Sequence, residues 1–227
     1  MKVSVIIPAA GQGKRMRTAK NKQFLLLDDR PIIAHTVDKF NIEEVDEIIL
    51  VVKEEEQDYC HEIIEDYQLK VDQLVYGGKT RQESVYNGLQ KVTAKSELVL
   101  IHDGARPLLT KRMIRNIIKE AKSHQAVITG VAVKDTIKVI NHEQLVINTP
   151  DRSRLVAIQT PQAFKKDLIL KAYTKASEEG YFGTDSASLV ERLNRPVKVI
   201  EGSYQNLKVT TPEDLEFAEK ILARRQR

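Results

Sequence analysis

The chain is sparing with cysteine, with aromatic side chains and with long apolar runs, and each shortage removes a class of protein. A single cysteine, Cys60, forms no internal disulfide, so nothing in the sequence asks for an oxidising compartment. It follows Tyr59 in a stretch with helical spacing, where packing is its expected role. Phe, Trp and Tyr make up only 5% of residues, which leaves few platforms on which RNA bases can stack. No run reaches the ~18 consecutive apolar residues of a membrane span, and the first residues read as a strand and not as a signal or transit sequence. A cytoplasmic location is expected. No second histidine stands at ligand spacing from His102, which argues against a histidine metal centre. There is no internal repeat, low-complexity segment or linker.

What is present suits one enzyme-sized domain. With 227 residues and 41% hydrophobic content, residues 1–227 hold enough apolar material for one substantial core and fall within the range of a single large α/β domain. The net charge of +4 comes from 36 Lys and Arg against 32 Asp and Glu, and the cations are scattered. Most of them belong to a solvated surface of mixed charge, and nucleic acid is not an expected partner.

Val3 to Ile7 is an almost continuous apolar run closed by Pro8, the pattern of a strand buried on both faces of a parallel sheet. Similar runs recur at Ile48 to Val52, Leu74 to Tyr76, Leu98 to His102, Val127 to Val133 and Val197 to Ile200. Between them, Ile32 to Phe40, Gln57 to Tyr67, Ser84 to Val92, Met113 to Ala121 and Leu168 to Ala176 place apolar residues three or four apart. This alternation predicts an α/β fold: a mostly parallel sheet with helices on both faces. The stretch from about 135 to 159 interrupts it. Thr136 to Val139 and Leu145 to Asn148, split by the polar Asn141, His142 and Glu143, predict a hairpin that either packs on a second subunit or lies on its own domain. Thr211, Pro212, Glu213 and Asp214 mark the start of a terminal helix running to about Arg224.

The chemistry-bearing residues follow the strands. Pro8, Ala9, Ala10, Gly11, Gln12, Gly13, Lys14, Arg15 and Met16 form a small-residue loop whose backbone can pass close to phosphates, with two cations beside it. Met16 stands where a dinucleotide fingerprint needs its third glycine, and no Ser or Thr follows Lys14 as in a Walker loop, so this is a nucleotide loop of a third kind. Lys22, one short loop further on, is placed to reach the same triphosphate. Asp103 and Arg106 stand at the carboxyl end of the fourth strand, where open α/β sheets bind ligands. Asp103 suits a hard cation such as Mg2+ that bridges phosphates, and Arg106 suits a second phosphate. Gly77, Gly78 and Ser84 belong to a loop entering a helix, able to read a base or ribose or simply to cap that helix. Thr136, Arg152, Thr184 and Lys208 carry no signal singly.

In order, Pro8 to Met16, Asn21 to Phe24, Gly77 to Leu89, His102 to Pro107, Val133 to Lys138, Gln159 to Phe164, Thr184 to Glu191 and Asn206 to Leu215 resemble the 2-C-methyl-D-erythritol 4-phosphate cytidylyltransferases of non-mevalonate isoprenoid synthesis. The resemblance spans Val5 to about Ala218. It implies a Rossmann-like domain that transfers CMP from CTP to the sugar-alcohol phosphate with Mg2+ or another divalent cation, as a homodimer whose arms at about 135–159 reach into the partner's site. It implies catalytic roles for Arg15, Lys22, Arg152 and Lys208, and a nucleotide site of Pro8, Ala9, Ala10, Gly11, Gly13, Lys14, Gly78, Ser84 and Gly104. Arg106, Thr136, Arg152, Thr160, Thr184 and Lys208 would hold the acceptor, with Arg152 and Thr184 from the neighbouring subunit, and Asp103 would bind the metal. Asn21 and Gly104 depart from the Pro and Ala common in relatives, and Asp28, Asp29 and Arg30 replace a glycine-containing turn. Two other readings are a ribitol 5-phosphate cytidylyltransferase and, from another class, a non-catalytic nucleotide sensor or RNA-binding module. The segments Asn206 to Pro212 and His102 to Arg106 favour the isoprenoid enzyme over the first, and intact Arg15, Lys22 and Asp103 argue against the second.

Overall fold

A computed structural model describes residues 1–11 and 21–225. In chain order the strands and helices are β1 (Val3–Pro8), β2 (Leu26–Leu27), β3 (Arg30–Pro31), α1 (Ile32–Asp38), β4 (Glu47–Val52), α2 (Gln57–Asp66), β5 (Gln73–Tyr76), α3 (Arg81–Leu89), β6 (Leu98–Ile101) and α4 (Lys111–Glu120). There follow β7 (Ala126–Ala132), β8 (Val139–Ile140), β9 (Val146–Asn148), β10 (Val156–Lys165), α5 (Lys166–Glu178), α6 (Ser186–Glu191), β11 (Lys198–Glu201) and α7 (Pro212–Arg225).

Seven strands form one sheet in the order β11-β7-β10-β6-β1-β4-β5. The pairings of β1 with β4 and β6, of β4 with β5 and of β11 with β7 are parallel. The strand period of two splits the apolar runs between two layers. Val3, Val5 and Ile7 of β1, with Ile48, Leu50 and Val52 of β4, pack on one face against Ile33 of α1, Ile63 of α2 and Ile117 of α4. Ile6, Ile49, Val51 and Val99 pack on the other against Val85 of α3, Tyr173 of α5 and Leu189 of α6. Continuous apolar strands were expected for this reason, since both faces are covered.

Every predicted strand of the main sheet is found, with ends shifted by a residue or so, whereas the first arm strand, expected at Thr136 to Val139, is Val139–Ile140. Helix α3 starts three residues before the predicted Ser84, because the Thr80 side chain caps it by accepting from Glu83 N (3.0 Å). The main departure is β10. It pairs antiparallel with both β6 and β7 inside the sheet, and Gln159, Thr160, Pro161 and Gln162 hide its strand character. The register shifts between Gln159 and Gln162, a bulge that re-aims the side chains there.

The hairpin is shorter than expected. Strands β8 and β9 pair antiparallel, and the Asn141 side chain accepts from the backbone of Glu143 and Leu145 to shape the turn. Cys60 is buried in the first layer, and burial pushes its thiol up to about 12, in keeping with a packing role. Helix α7 packs Ala218 with Leu27, Ile32, Leu108 and Val209, and Thr211 and Asp214 cap its start as predicted. Among the described residues, no helix is long and apolar enough to cross a membrane.

Candidate active site

The loops after β1, β4, β5 and β6 gather at the carboxyl edge of the sheet. Ala9 N donates to Val51 O and Gly77 N to Val52 O, both at 2.7 Å, and Gly104 N donates to Pro8 O at 3.2 Å. These bonds stitch the loops into the wall of a cleft of about 780 Å³. Its lining includes Pro8, Ala10, Gly11, Lys22, Gly78 and Ser84. A second cavity of about 550 Å³ carries Arg106, Thr160, Gln162 and Thr184. Arg81, Asp103 and Lys208 line both, so the two spaces meet at this ionic cluster.

Asp103 is its centre. Arg81 reaches Oδ1 with both Nε and Nη2 at 2.9 Å, Lys208 Nζ lies 2.8 Å from Oδ2, and Arg106 Nε stands 3.8 Å from Oδ2. Burial alone would raise the Asp103 carboxyl, but the combined charge of Arg81, Lys208 and Arg106 outweighs it and holds the group well below the usual carboxylate range. Three cations around one carboxylate leave excess positive charge where the cavities join. Arg81 is the residue that sequence reasoning missed. Its position at the first residue of α3 is a usable signal, since a cation at a helix N-terminus opposes the macrodipole unless an acid holds it.

Hydrogen bonds link the supporting residues to one another. Thr160 Oγ1 accepts from Asp103 N (3.0 Å), Arg106 Nη1 donates to Asn206 O (2.7 Å), and Asn206 Nδ2 donates to Thr160 O (2.9 Å). Gln23, also missed, is buried and donates to Ala9 O (2.7 Å) and Gly11 O (3.2 Å), fixing the short turn that carries Lys22 against the first loop. Asn21 donates its amide to the Glu56 carboxylate, an anchor in place of the ring that Pro would supply. Ser84 Oγ donates to Thr80 O (2.8 Å) and accepts from Gly78 N (3.1 Å), so the hydroxyl shapes the loop while lining the cleft.

His102 is fully buried, and burial pushes it down to about 4. It is neutral at pH 7, and among the described residues its ring bonds the Arg106 carbonyl alone, at 3.1 Å, which gives it no part in acid–base chemistry. Thr184, which the resemblance assigns to a neighbouring subunit, lines the second cavity of its own chain. Thr136 and Arg152 lie on the arm, where Arg152 Nη1 donates to Lys134 O (2.5 Å), and they line neither cavity. Gly13, Lys14 and Arg15 lie outside the described residues.

Among the described residues no three of His, Cys, Asp or Glu gather as metal ligands. Asp103 offers one hard carboxylate whose oxygens Arg81 and Lys208 already hold, so a cation bound there would have to share it with them and complete its shell with phosphate oxygens and water, and the group does not form a self-contained protein cage. The arrangement can therefore bind two anionic ligands side by side.

Comparison with known proteins agrees with this geometry. Residues 3–224 match the family model described as 2-C-methyl-D-erythritol 4-phosphate cytidylyltransferase. The enzyme of that name from Desulforamulus reducens is 48% identical over 226 residues, 98% of this chain and 97% of that protein. The one from Clostridioides difficile is 49% identical over 96% of this chain and 93% of its own length. Among solved structures, 4-diphosphocytidyl-2C-methyl-D-erythritol synthase from Anaerococcus prevotii superposes with a TM-score of 0.87 at 38% identity, covering 98% of this chain and 96% of that one. The Thermus thermophilus cytidylyltransferase gives 0.79 at 28% identity, covering 98% and 100%. On the match over residues 3–224 and the 48% identity over 226 residues, the chain belongs to the 2-C-methyl-D-erythritol 4-phosphate cytidylyltransferase family.

Proposed function

We propose that this chain transfers CMP from CTP to 2-C-methyl-D-erythritol 4-phosphate, giving 4-diphosphocytidyl-2-C-methyl-D-erythritol and pyrophosphate for isoprenoid precursor synthesis. The observation that carries this reading is the junction of two cavities at the cluster of Arg81, Asp103 and Lys208. One cavity has a small-residue loop suited to a nucleotide, and the other has cations and hydroxyls suited to a polyol phosphate.

The acceptor's phosphate monoester is the nucleophile and is already anionic near neutral pH, so no base is required. Its oxygen forms a bond to the α-phosphorus of CTP as the bond to the β-phosphate breaks, and pyrophosphate leaves with the electron pair. The obstacle is repulsion between two anions that must approach in line. Cations answer it: Lys22 and Arg15 on the nucleotide, Arg106 and Lys208 on the acceptor. Pro8, Ala9, Ala10, Gly11, Gly13, Lys14, Gly78, Ser84 and Gly104 hold CTP, and Thr160 and Thr184 help hold the acceptor. Mg2+ held by Asp103 and the nucleotide's phosphates would neutralise charge on the pyrophosphate.

Residues 1–227 act as one nucleotidyltransferase domain. The arm at about 135–159 pairs with that of a second copy and brings Thr136 and Arg152 to the partner's site, a reading supported by the exposed Ile137, Val139, Leu145 and Ile147. The protein works in the cytoplasm. The deciding experiment is pyrophosphate release with a panel of nucleotides and alcohol phosphates. Release that needs both CTP and methylerythritol phosphate is expected, and equal or better use of ribitol 5-phosphate, or release without any acceptor, overturns the assignment.

A further inference from the structure

Gln162 lies on β10 just past the bulge, is 1% exposed and lines the second cavity. Its Nε2 donates to Asp185 Oδ2 at 2.6 Å. That bond fixes which way the amide points. Asp185 is acceptor-only, with its other oxygen accepting from Ser188 N (2.9 Å) at the start of α6, so it repels the amide oxygen and holds the amide nitrogen. Oε1 is thereby turned away from Asp185, and among the described residues it has no hydrogen-bond partner. A buried acceptor left unpaired is costly, and a ligand donor relieves it.

The same cavity states what kind of donor. Arg106 and Lys208 already supply cations for a phosphate, while Ile128, Val197 and Val199 supply an apolar wall. A neutral acceptor oxygen in this company favours an alcohol hydroxyl and has nothing to offer an anion or an ether. We propose that Gln162 is a specificity-determining residue: its Oε1 accepts a hydrogen bond from one alcohol hydroxyl of the acceptor, so that a polyol phosphate is chosen over monoesters lacking that hydroxyl. This rests on the reading of the second cavity as the acceptor site. A site built around a buried hydrogen bond to a hydroxyl rejects the analogue without it far more strongly than an apolar pocket rejects a change of size.

The test compares wild type with Gln162→Met, close in shape and without hydrogen-bonding capacity. Each is assayed with methylerythritol phosphate and with a set of analogues lacking one hydroxyl apiece. In the wild type one analogue is expected to lose on the order of 100-fold or more in kcat/KM. Q162M loses a comparable factor with the full substrate and shows little further loss with that analogue, while its CTP affinity stays within about twofold. A variant that lowers kcat/KM for all acceptors alike and keeps the wild-type ranking has only a structural defect, and overturns the proposal. Should Q162M fail to fold, Gln162→Asn withdraws the same amide by one methylene and is expected to blunt the ranking similarly. The wild type alone is also decisive, because equal use of every analogue sinks the idea without any variant. If the wild type makes no product from methylerythritol phosphate, the functional reading itself fails. If it makes product but ranks the analogues independently of Gln162, this inference fails alone.

Discussion

Lys208 Nζ lies 2.8 Å from Asp103 Oδ2, although the two residues are supplied by distant parts of the chain. The backbone arranges the meeting: Val209 N donates to Ala105 O at 2.8 Å, laying the segment before α7 along the loop after β6. Lysine and aspartate thus face each other, and one carboxylate holds the surrounding cations in place.

Asp103→Asn removes that carboxylate's charge and leaves Arg81, Lys208 and Arg106 facing each other. Breaking a buried ionic cluster costs about 3–5 kcal/mol, and the partial exposure of Arg81 and Lys208 lets water offset some of it, so a loss of about 2 kcal/mol is expected. The pH dependence has a definite sign. Because the folded group sits below its ordinary value, its contribution is full above about pH 4 and is lost as pH falls further. Urea midpoints between pH 2.5 and 7 should therefore fall more steeply in the wild type than in D103N below about pH 4. Parallel curves would remove Asp103 from the acid response.

His102 supplies a second acid-sensitive element at higher pH. Its folded value of about 4 lies below the ordinary 6.5, so the unfolded chain binds the extra proton first. Stability is full above about pH 6.5 and declines as pH falls towards 4, by about 3 kcal/mol in total. His102→Gln can still bond the Arg106 carbonyl without titrating. Its denaturation midpoints should be nearly flat over that window once other groups are matched, and an unchanged slope would assign the effect elsewhere.

Gly78 tests whether the second loop is shaped for close approach. A Cβ built there would lie 2.4 Å from Glu83 Cβ and 2.7 Å from its carboxylate, so Gly78→Ala must push the loop off the first turn of α3. That turn is secured by Lys79 N donating to Glu83 Oε2 at 2.7 Å, and Lys79 lines the first cleft. CTP affinity should fall by roughly tenfold or more, the scale of about 1.4 kcal/mol, with a small change in melting temperature. Calorimetric titration with CTP measures this, and unaltered affinity would show that the loop is not part of the nucleotide's seat.

Much of this architecture is legible in the sequence because buried parallel strands write themselves as unbroken apolar runs. Val3 to Ile7 and Ile48 to Val52 are found as strands because two layers cover them. Asp103 is legible for a related reason, since the carboxyl ends of such strands are where ligands bind. Strand β10 is not, because Gln159, Thr160 and Gln162 replace apolar residues at the bulge and each is held by a partner far away in sequence. Gln23 looks like any polar residue beside Lys22 until its two bonds to Ala9 O and Gly11 O are seen. Local pattern records what a residue buries; it does not record which distant group it bonds.

The arm carries the last prediction. Leu145, Val146 and Ile147 are 60%, 59% and 65% exposed, a run of apolar surface on a hairpin too small to be stable by itself. Covered by a second copy, the same run would become an interface, and Arg152 on the same arm would reach the partner's site. Lys22→Ala and Arg152→Ala homodimers should each lose about 100-fold or more in turnover while remaining folded. If each site takes Lys22 from one chain and Arg152 from the other, one site of a mixed dimer carries both defects and the other carries neither. Random exchange makes half of the dimers mixed, so activity should recover to about one quarter of wild type. Full exchange verified by mass, with activity still at the level of the parents, would mean that each chain completes its own site. Leu145→Asp with Ile147→Asp supplies the independent check: sedimentation should shift towards the monomer, and turnover should fall with it.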